Sequence, residues 1–150
     1  MTLTARRATP ADSAELLRLS RAFHLEDGSP LDAAGEATIA HVAAGEPLAP
    51  AYMLEQGAKI AGFFILTLGY SVENGGMDGF IDDLFLLPQL RGQGLGRAAV
   101  ALAIEAAKEN GIRALLLEVE AHNERAYSLY RKMGFLDTQR RLLRQVIADD

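Results

Sequence analysis

The glycine-rich hexapeptide RGQGLG, residues 91–96, strongly constrains the local fold because it joins two segments of different periodicity. The run before it, residues 80–88, is largely apolar and ends in proline, which predicts a buried strand that stops there. The run after it, residues 95–111, has apolar side chains at helical spacing and ends in Asn-Gly. The sequence therefore predicts a strand, a sharp glycine turn and a long helix, in that order.

The same two periodicities predict the elements of the remaining chain. We expect helices over residues 9–23, 31–46 and 123–134, and strands over 3–9, 113–120 and 135–147, the last as one or two strands, with a hairpin of two strands within 51–70. The resulting order is β-α-α-β-β-β-α-β-α-β. Such an order favours an α/β (α+β) fold with one mixed sheet flanked by helices, in a single domain over residues 1–150.

Composition excludes several classes of function. The chain of 150 residues has no cysteine, so it has no disulfide and no thiol nucleophile. Its formal net charge of −5 argues against a broad nucleic-acid or anionic-membrane surface. We find no signal peptide, no apolar run of membrane-spanning length and no histidine spacing typical of a metal site. We therefore expect a cytoplasmic protein without a metal, a membrane or a nucleic acid as partner.

The hexapeptide also has the properties of an anion site. The first backbone N–H groups of a helix lack internal partners, and the helix dipole adds positive potential there. Glycines let a phosphate approach those donors, and Arg91 and Arg97 would add charge-assisted bonds. The dinucleotide fingerprint fails, because its last glycine would fall on Arg97, and no P-loop tripeptide is present. The glycines alone remain equally compatible with a simple turn.

Two motifs together resemble the GNAT superfamily of acetyl-CoA-dependent N-acetyltransferases. The first is Arg91–Gly96 at the start of the long helix, and the second is NERAYSLYRKMGF, residues 123–135, with Asn123, Ala126, Tyr130 and Gly134 at the family's spacing. The resemblance covers residues 80–136. It implies the GNAT fold, with a mostly antiparallel central sheet, and acetyl-CoA as co-substrate.

The resemblance also implies a coenzyme site. The glycine loop would hold the pyrophosphate, and the preceding strand would bond the pantetheine arm through its backbone, with an N–H as oxyanion donor. The residues so implied are Leu84, Phe85, Leu86, Arg91, Gly92, Gln93, Gly94, Leu95, Gly96, Arg97, Asn123 and Tyr130. Asn123 is also a good helix cap, and it could do both.

Two residues carry the chemistry that the resemblance implies. Tyr130 matches the general acid that protonates the thiolate of coenzyme A, although an ordinary core aromatic is the alternative. Asp82 matches an acidic residue that acts as base. Because Asp82 and Asp83 are adjacent, we expect them on opposite faces of a strand, with only one facing the substrate. Glu118 and Glu120 are the fallback candidates for the base.

An acidic loop suggests the acceptor. Glu26 and Asp27 follow the first helix, and together with Asp82 they favour a small cationic amine, of the polyamine, amino acid or aminoglycoside type. A solvated acidic loop is an equally good interpretation. Two other functions stay open, namely an acetyltransferase for a protein N-terminus or lysine, and a non-catalytic acyl-CoA sensor. The sequence also leaves a homodimer open.

Overall fold

The computed structural model describes residues 2–148. They form two compact units, and the first ends in the chain at Glu118 while the second begins at Val119. The elements of the first unit are β1 (Leu3–Arg7), α1 (Ser13–Glu26), α2 (Ala33–Ala43), β2 (Ala51–Gln56), β3 (Lys59–Ser71), β4 (Gly76–Leu86), α3 (Leu95–Glu109) and β5 (Ala114–Leu116). The second unit contains α4 (Glu124–Lys132). Short 3-10 turns lie at Pro10–Asp12 and Pro88–Leu90.

The five strands form one sheet in the order β1-β2-β3-β4-β5. The first three pairings are antiparallel, and only β4 and β5 run parallel. The long hairpin of β3 and β4 is the centre of this sheet, with register pairs that extend from Gly62↔Leu86 to Ser71↔Gly76. The prediction of a mixed, mostly antiparallel sheet flanked by helices is confirmed.

The helices cover both faces of the sheet, because side chains alternate along each strand. On one face, α1 and α2 bury a cluster against the strands that contains Leu16, Leu19, Ile39, Val42, Met53, Phe63, Ile65 and Phe85. On the other face, α3 buries its alanine-rich side, and Nδ2 of Asn110 donates to the hydroxyl of Tyr52 at 2.8 Å. The Tyr52 ring stacks on Phe64 at 4.9 Å between centroids.

A β-bulge interrupts the β3–β4 ladder at Asp82. Ile81 pairs with Leu66 and Asp83 pairs with Ile65, so Asp82 is the extra residue on β4. Because Leu66 and Ile65 are neighbours on a regular strand, Ile81 and Asp83 lie on opposite faces of the sheet. Simple alternation along β4 would have put them on the same face.

The predicted strands at the C-terminal end are wrong in extent. β5 has three residues rather than eight, and no strand is present among the described residues 135–148. The apolar side chains of that segment come in adjacent pairs, such as Leu142-Leu143 and Val146-Ile147, and all four are exposed. Adjacent pairs put one side chain on each face of an extended chain, so neither face is apolar enough to specify a strand.

Candidate active site

The glycine loop places the start of α3 at the end of β4. Gly92 and Gly94 have φ values of 76° and 79°, in the left-handed region that favours glycine. Gly94 is the residue that precedes the first helical turn. A Cβ added at Gly92, Gly94 or Gly96 would meet no heavy atom within 4 Å. The backbone in front of α3 is therefore uncovered.

The N-terminus of α3 differs electrostatically from those of the other helices. An acidic residue lies in the first turn of α1 (Glu15), α2 (Glu36) and α4 (Glu124). The first turn of α3 has no acidic residue and no side-chain cap, and it carries Arg97. Its free N–H groups and positive potential are thus not satisfied by the protein's own carboxylates, and they can bind an external anion.

Arg91 connects the loop to two other elements. Its Nε donates to the carbonyl of Leu86 at 3.0 Å, and its terminal nitrogens bond both carboxylate oxygens of Glu26, at 2.8 and 3.0 Å. The guanidinium also lies over the ring of Phe85, 5.3 Å from the centroid. Glu26 is therefore paired with a cation of the same chain, which reduces its pull on a cationic ligand.

The C-terminal half of β4 has an edge that β5 does not cover. Parallel pairing with β5 runs from Asp78↔Ala114 to Phe80↔Leu116 and ends there, while β4 continues to Leu86. On its other side, β4 is paired with β3 along this whole length. Alternate backbone groups of Leu84, Phe85 and Leu86 therefore face away from β3, where an extended ligand can add to the strand.

Asp83 is a buried carboxylate that the sequence-based prediction did not select. Only 8% of the residue is exposed, and its Oδ2 lies 3.3 Å from Nε2 of His24, at the end of α1. Burial raises the pKa of Asp83, and the charges of Asp82 and Asp27 raise it further, while His24 lowers it. The sequence signal was the position of Asp83, two residues before the core residue Phe85.

The acidic residues that the sequence suggests for binding the acceptor fall into two groups in the structure. Asp82, at the bulge, is exposed, and the charges of Asp82 and Asp27 both act on Asp83. Glu26 instead pairs with Arg91. Asp27, Asp82, Asp83 and His24 thus form one group at the end of α1, which we call the acidic cluster. The fallback bases Glu118 and Glu120 are exposed.

The second unit holds the two other predicted residues: Asn123 directly before α4 and Tyr130 within it. Oδ1 of Asn123 accepts a hydrogen bond from the N–H of Ala126 at 3.2 Å, so Asn123 caps the helix as expected. Tyr130 packs edge-on against Phe135, with ring centroids 5.9 Å apart. Burial raises the pKa of Tyr130, so the phenol keeps its proton at neutral pH.

Two kinds of feature would indicate a metal or a membrane as partner: clusters of metal-ligating side chains and membrane-spanning helices. Residues 2–148 contain no group of three or more histidine, aspartate or glutamate side chains arranged to hold a metal ion. Within the same residues, no helix is long and apolar enough to cross a bilayer.

Residues 15–135 match the family model described as acetyltransferase (GNAT) family. The chain belongs to this family. The prediction made from the two motifs is therefore confirmed, and the protein is an acyltransferase. The family model and the N-acetyltransferases among its relatives support N-acetyltransferase activity. Enzymes of the family use acetyl-CoA.

Two of the similar proteins are named N-acetyltransferases, and one solved structure is similar in both fold and sequence. The chain is 30% identical to thialysine N-epsilon-acetyltransferase of Mus musculus, over 83% of this chain and 72% of that protein. It is 28% identical to aminoglycoside N(6')-acetyltransferase type 1 of Stenotrophomonas maltophilia, over 91% of this chain and 88% of that protein. The structure is similar to an integron cassette protein from the mobile metagenome of Cole Harbour Salt Marsh, with TM-score 0.81, 33% identity and coverage of 97% and 91%.

Proposed function

We propose that this acetyltransferase transfers the acetyl group of acetyl-CoA to the primary amine of a small cationic molecule. The observation that carries the proposal is the acidic cluster beside the uncovered edge of β4, because it puts negative charge next to the backbone that would hold a thioester. The thialysine and aminoglycoside enzymes among the relatives support an acceptor of this class. A cytoplasmic location and a homodimer stay predictions.

The coenzyme would be held mainly by backbone groups. The N-terminus of α3 and the loop from Arg91 to Arg97 would bind the pyrophosphate, and Asn123 is the predicted contact from α4. The outward backbone groups of Leu84, Phe85 and Leu86 would hold the extended pantetheine arm. Arg91 would act through position as well as charge, since its bond to Leu86 couples the loop to that strand.

The protein must assist the transfer in three ways: by removing a proton from the acceptor, by stabilising the oxyanion and by protonating the thiolate. The acceptor must lose a proton before its nitrogen attacks the thioester carbonyl, and the carboxylates of the acidic cluster, Asp82 among them, would bind it and assist that loss. A backbone N–H near Leu84 to Leu86 would stabilise the oxyanion. Tyr130 would then give its phenolic proton to the departing thiolate. The attacking nitrogen keeps the acetyl group as an amide.

The test of function is a thiol-release assay with acetyl-CoA and four acceptor classes: polyamines, amino acids including lysine analogues, aminoglycosides, and peptides. We expect acceptor-dependent thiol release with at least one small diamine-like or polyamine compound. Release with peptides alone would favour a protein N-terminus or lysine as acceptor. Tight coenzyme binding without release for any amine would favour the sensor function and contradict the proposal.

We predict that Tyr130→Phe lowers kcat by about 100-fold, because thiolate departure loses its proton donor. Binding of acetyl-CoA, measured by calorimetry, should change little. The matched control is Tyr127→Phe on the same helix, whose hydroxyl contacts Asp137 and Arg131 instead. Equal turnover in wild type and Tyr130→Phe would remove Tyr130 from the acid role.

A further inference from the structure

We propose that His24 and Asp83 form the unit that accepts the proton of the acceptor amine, with His24 carrying that proton and Asp83 orienting its ring. This inference rests on the proposed acetyl transfer and names the base for it. It moves the catalytic role from Asp82, which the family resemblance favours, to a residue pair that lies on two separate elements. His24 comes from the last turn of α1 and Asp83 from β4.

Position is the first argument. Asp83 directly precedes Leu84, where the edge of β4 not covered by β5 offers its backbone to the thioester. Asp83 pairs with Ile65, whose side chain lies in the cluster covered by α1 and α2, so the carboxylate of Asp83 is on the face toward α1. A proton acceptor at this point lies one residue from the strand segment that would hold the reacting carbonyl.

Orientation is the second argument. The His24 ring is confined by Phe23, whose centroid lies 5.0 Å away, and by the 3.3 Å contact between its Nε2 and Oδ2 of Asp83. Asp83 is the more buried partner, with 10% of its side chain exposed against 24% for His24. A buried carboxylate behind a more accessible imidazole fixes the tautomer in which Nε2 carries hydrogen and Nδ1 is a free base.

Charge is the third argument. Ionised Asp83 with a neutral imidazole carries one negative charge, which attracts an ammonium ion. When the N–H bond of the ammonium breaks, the proton bonds to Nδ1 and the electron pair stays on the acceptor nitrogen for its attack on the carbonyl. The pair is then neutral overall, because the imidazolium faces the carboxylate. Histidine is the side chain that most often acts as a general base in enzymes.

The surroundings make the pair responsive to cations. The charges of Asp82 and Asp27 act on Asp83. The aromatic rings of Phe23 and Phe85 pack against each other beside the pair. Glu26, the last residue of α1, forms an ion pair with Arg91. Burial and the two carboxylates raise the pKa of Asp83, so a nearby positive charge favours its ionised form. The ammonium group of a bound acceptor supplies that charge while the His24 imidazole is neutral.

The test compares His24→Gln, His24→Ala and Asp83→Asn with wild type, by kcat and by the pH profile of kcat/KM. The matched control is His41→Gln, since His41 is an exposed histidine in the last turn of α2. We expect His24→Gln to lower kcat by about 100-fold and to remove the fall in activity on the acid side of the profile. Added imidazole should restore part of the turnover of His24→Ala.

Stability separates this role from a structural one. Because burial raises the pKa of Asp83 above its value in the unfolded chain, ionised Asp83 destabilises the fold at high pH, and this cost declines as pH falls through the folded pKa toward the unfolded one. Asp83→Asn should therefore melt at the same temperature as wild type or higher at pH 7, and this difference should shrink toward acid pH. Its turnover should nevertheless fall.

Three results would overturn the proposal. Turnover of His24→Gln within twofold of wild type, with the same pH profile, would exclude the pair while acetyl transfer stands. A loss of turnover that imidazole does not restore, with a lower melting temperature in both His24 variants, would assign His24 a structural role. If wild type itself releases no thiol with any acceptor, the proposed function fails and this inference fails with it.

Discussion

Glycine occupies three positions of the loop, but the physical reason for it differs from one position to the next. Gly92 and Gly94 have positive φ, so a side chain there would strain the backbone. Gly96 lies in the first turn of α3, and a Cβ on it would meet no atom within 4 Å. Neither conformation nor packing explains the missing side chain at Gly96. The proposed coenzyme site would explain it, because a bound pyrophosphate would need this space.

We predict that Gly96→Ala stabilises the fold but weakens coenzyme binding. Alanine is a better helix residue than glycine by up to about 1 kcal/mol, so the denaturation midpoint should rise. Its methyl group would occupy the space in front of the α3 N–H groups, and the Kd for acetyl-CoA should rise about tenfold, equal to about 1.4 kcal/mol. Unchanged affinity in calorimetry would leave the hexapeptide as a turn and nothing more.

Strand β4 connects the proposed coenzyme and acceptor sites of the first unit. One edge pairs with β3, the other is uncovered beyond Phe80, and the side chain of Asp83 contacts His24. Gly62 on β3 lets the backbones of the two strands approach closely, because a Cβ there would overlap the carbonyl oxygen of Phe85. The uncovered edge lies on the opposite side of β4 and begins where the pairing with β5 ends, after Phe80.

We expect Gly62→Ala to destabilise the protein by about 2 kcal/mol or more, since backbone atoms must move to admit the methyl group. The matched control is Gly69→Ala on the same strand, where the new Cβ would meet the movable side chain of Asp78. Urea denaturation of both variants measures the difference. Equal midpoints would show that the backbones of β3 and β4 can move apart at Gly62 at little cost in stability, which would contradict the prediction. A folded Gly62→Ala should also lose turnover, because the end of β4 shifts.

At the scale of the whole molecule, the structure describes two compact units, while the sequence predicts one domain over residues 1–150. A single domain of this length normally unfolds in one cooperative step. Acetyl-CoA that binds only the folded state would stabilise that state by about 2.7 kcal/mol at 100 times its Kd. The number of unfolding transitions therefore tests the domain prediction, and their shift on addition of acetyl-CoA tests coenzyme binding.

We therefore predict one calorimetric transition, which moves to higher temperature as acetyl-CoA is added. Pantetheine, which lacks the pyrophosphate, is the control and should move it much less at the same concentration. Two separate transitions would contradict the single-domain prediction. A transition that does not respond to acetyl-CoA would contradict the coenzyme site.

Much of the fold follows from local patterns. The periodicity of residues 95–111 and the Asn123 cap each depend on nearby residues only, so α3 and the start of α4 could be predicted closely. Residues 135–147 could not, because adjacent apolar pairs carry no clear strand signal. Asp83 was missed for a different reason. Alternation puts it on the same face of β4 as Phe85, but its partner His24 lies 59 positions away in the chain, and local patterns cannot show that contact.

The amino-acid sequence was sufficient to predict the family and the sheet with its helices, and it supports the proposed anion site at residues 91–96. These properties depend on residue types at short spacing and on backbone preferences that act within a few residues. Only the tertiary structure decided that Arg91 pairs with Glu26 and that His24 meets Asp83 across 59 positions of chain. Such contacts arise because the helix end and the strand are brought together by the shared apolar core, and that placement depends on the whole first unit.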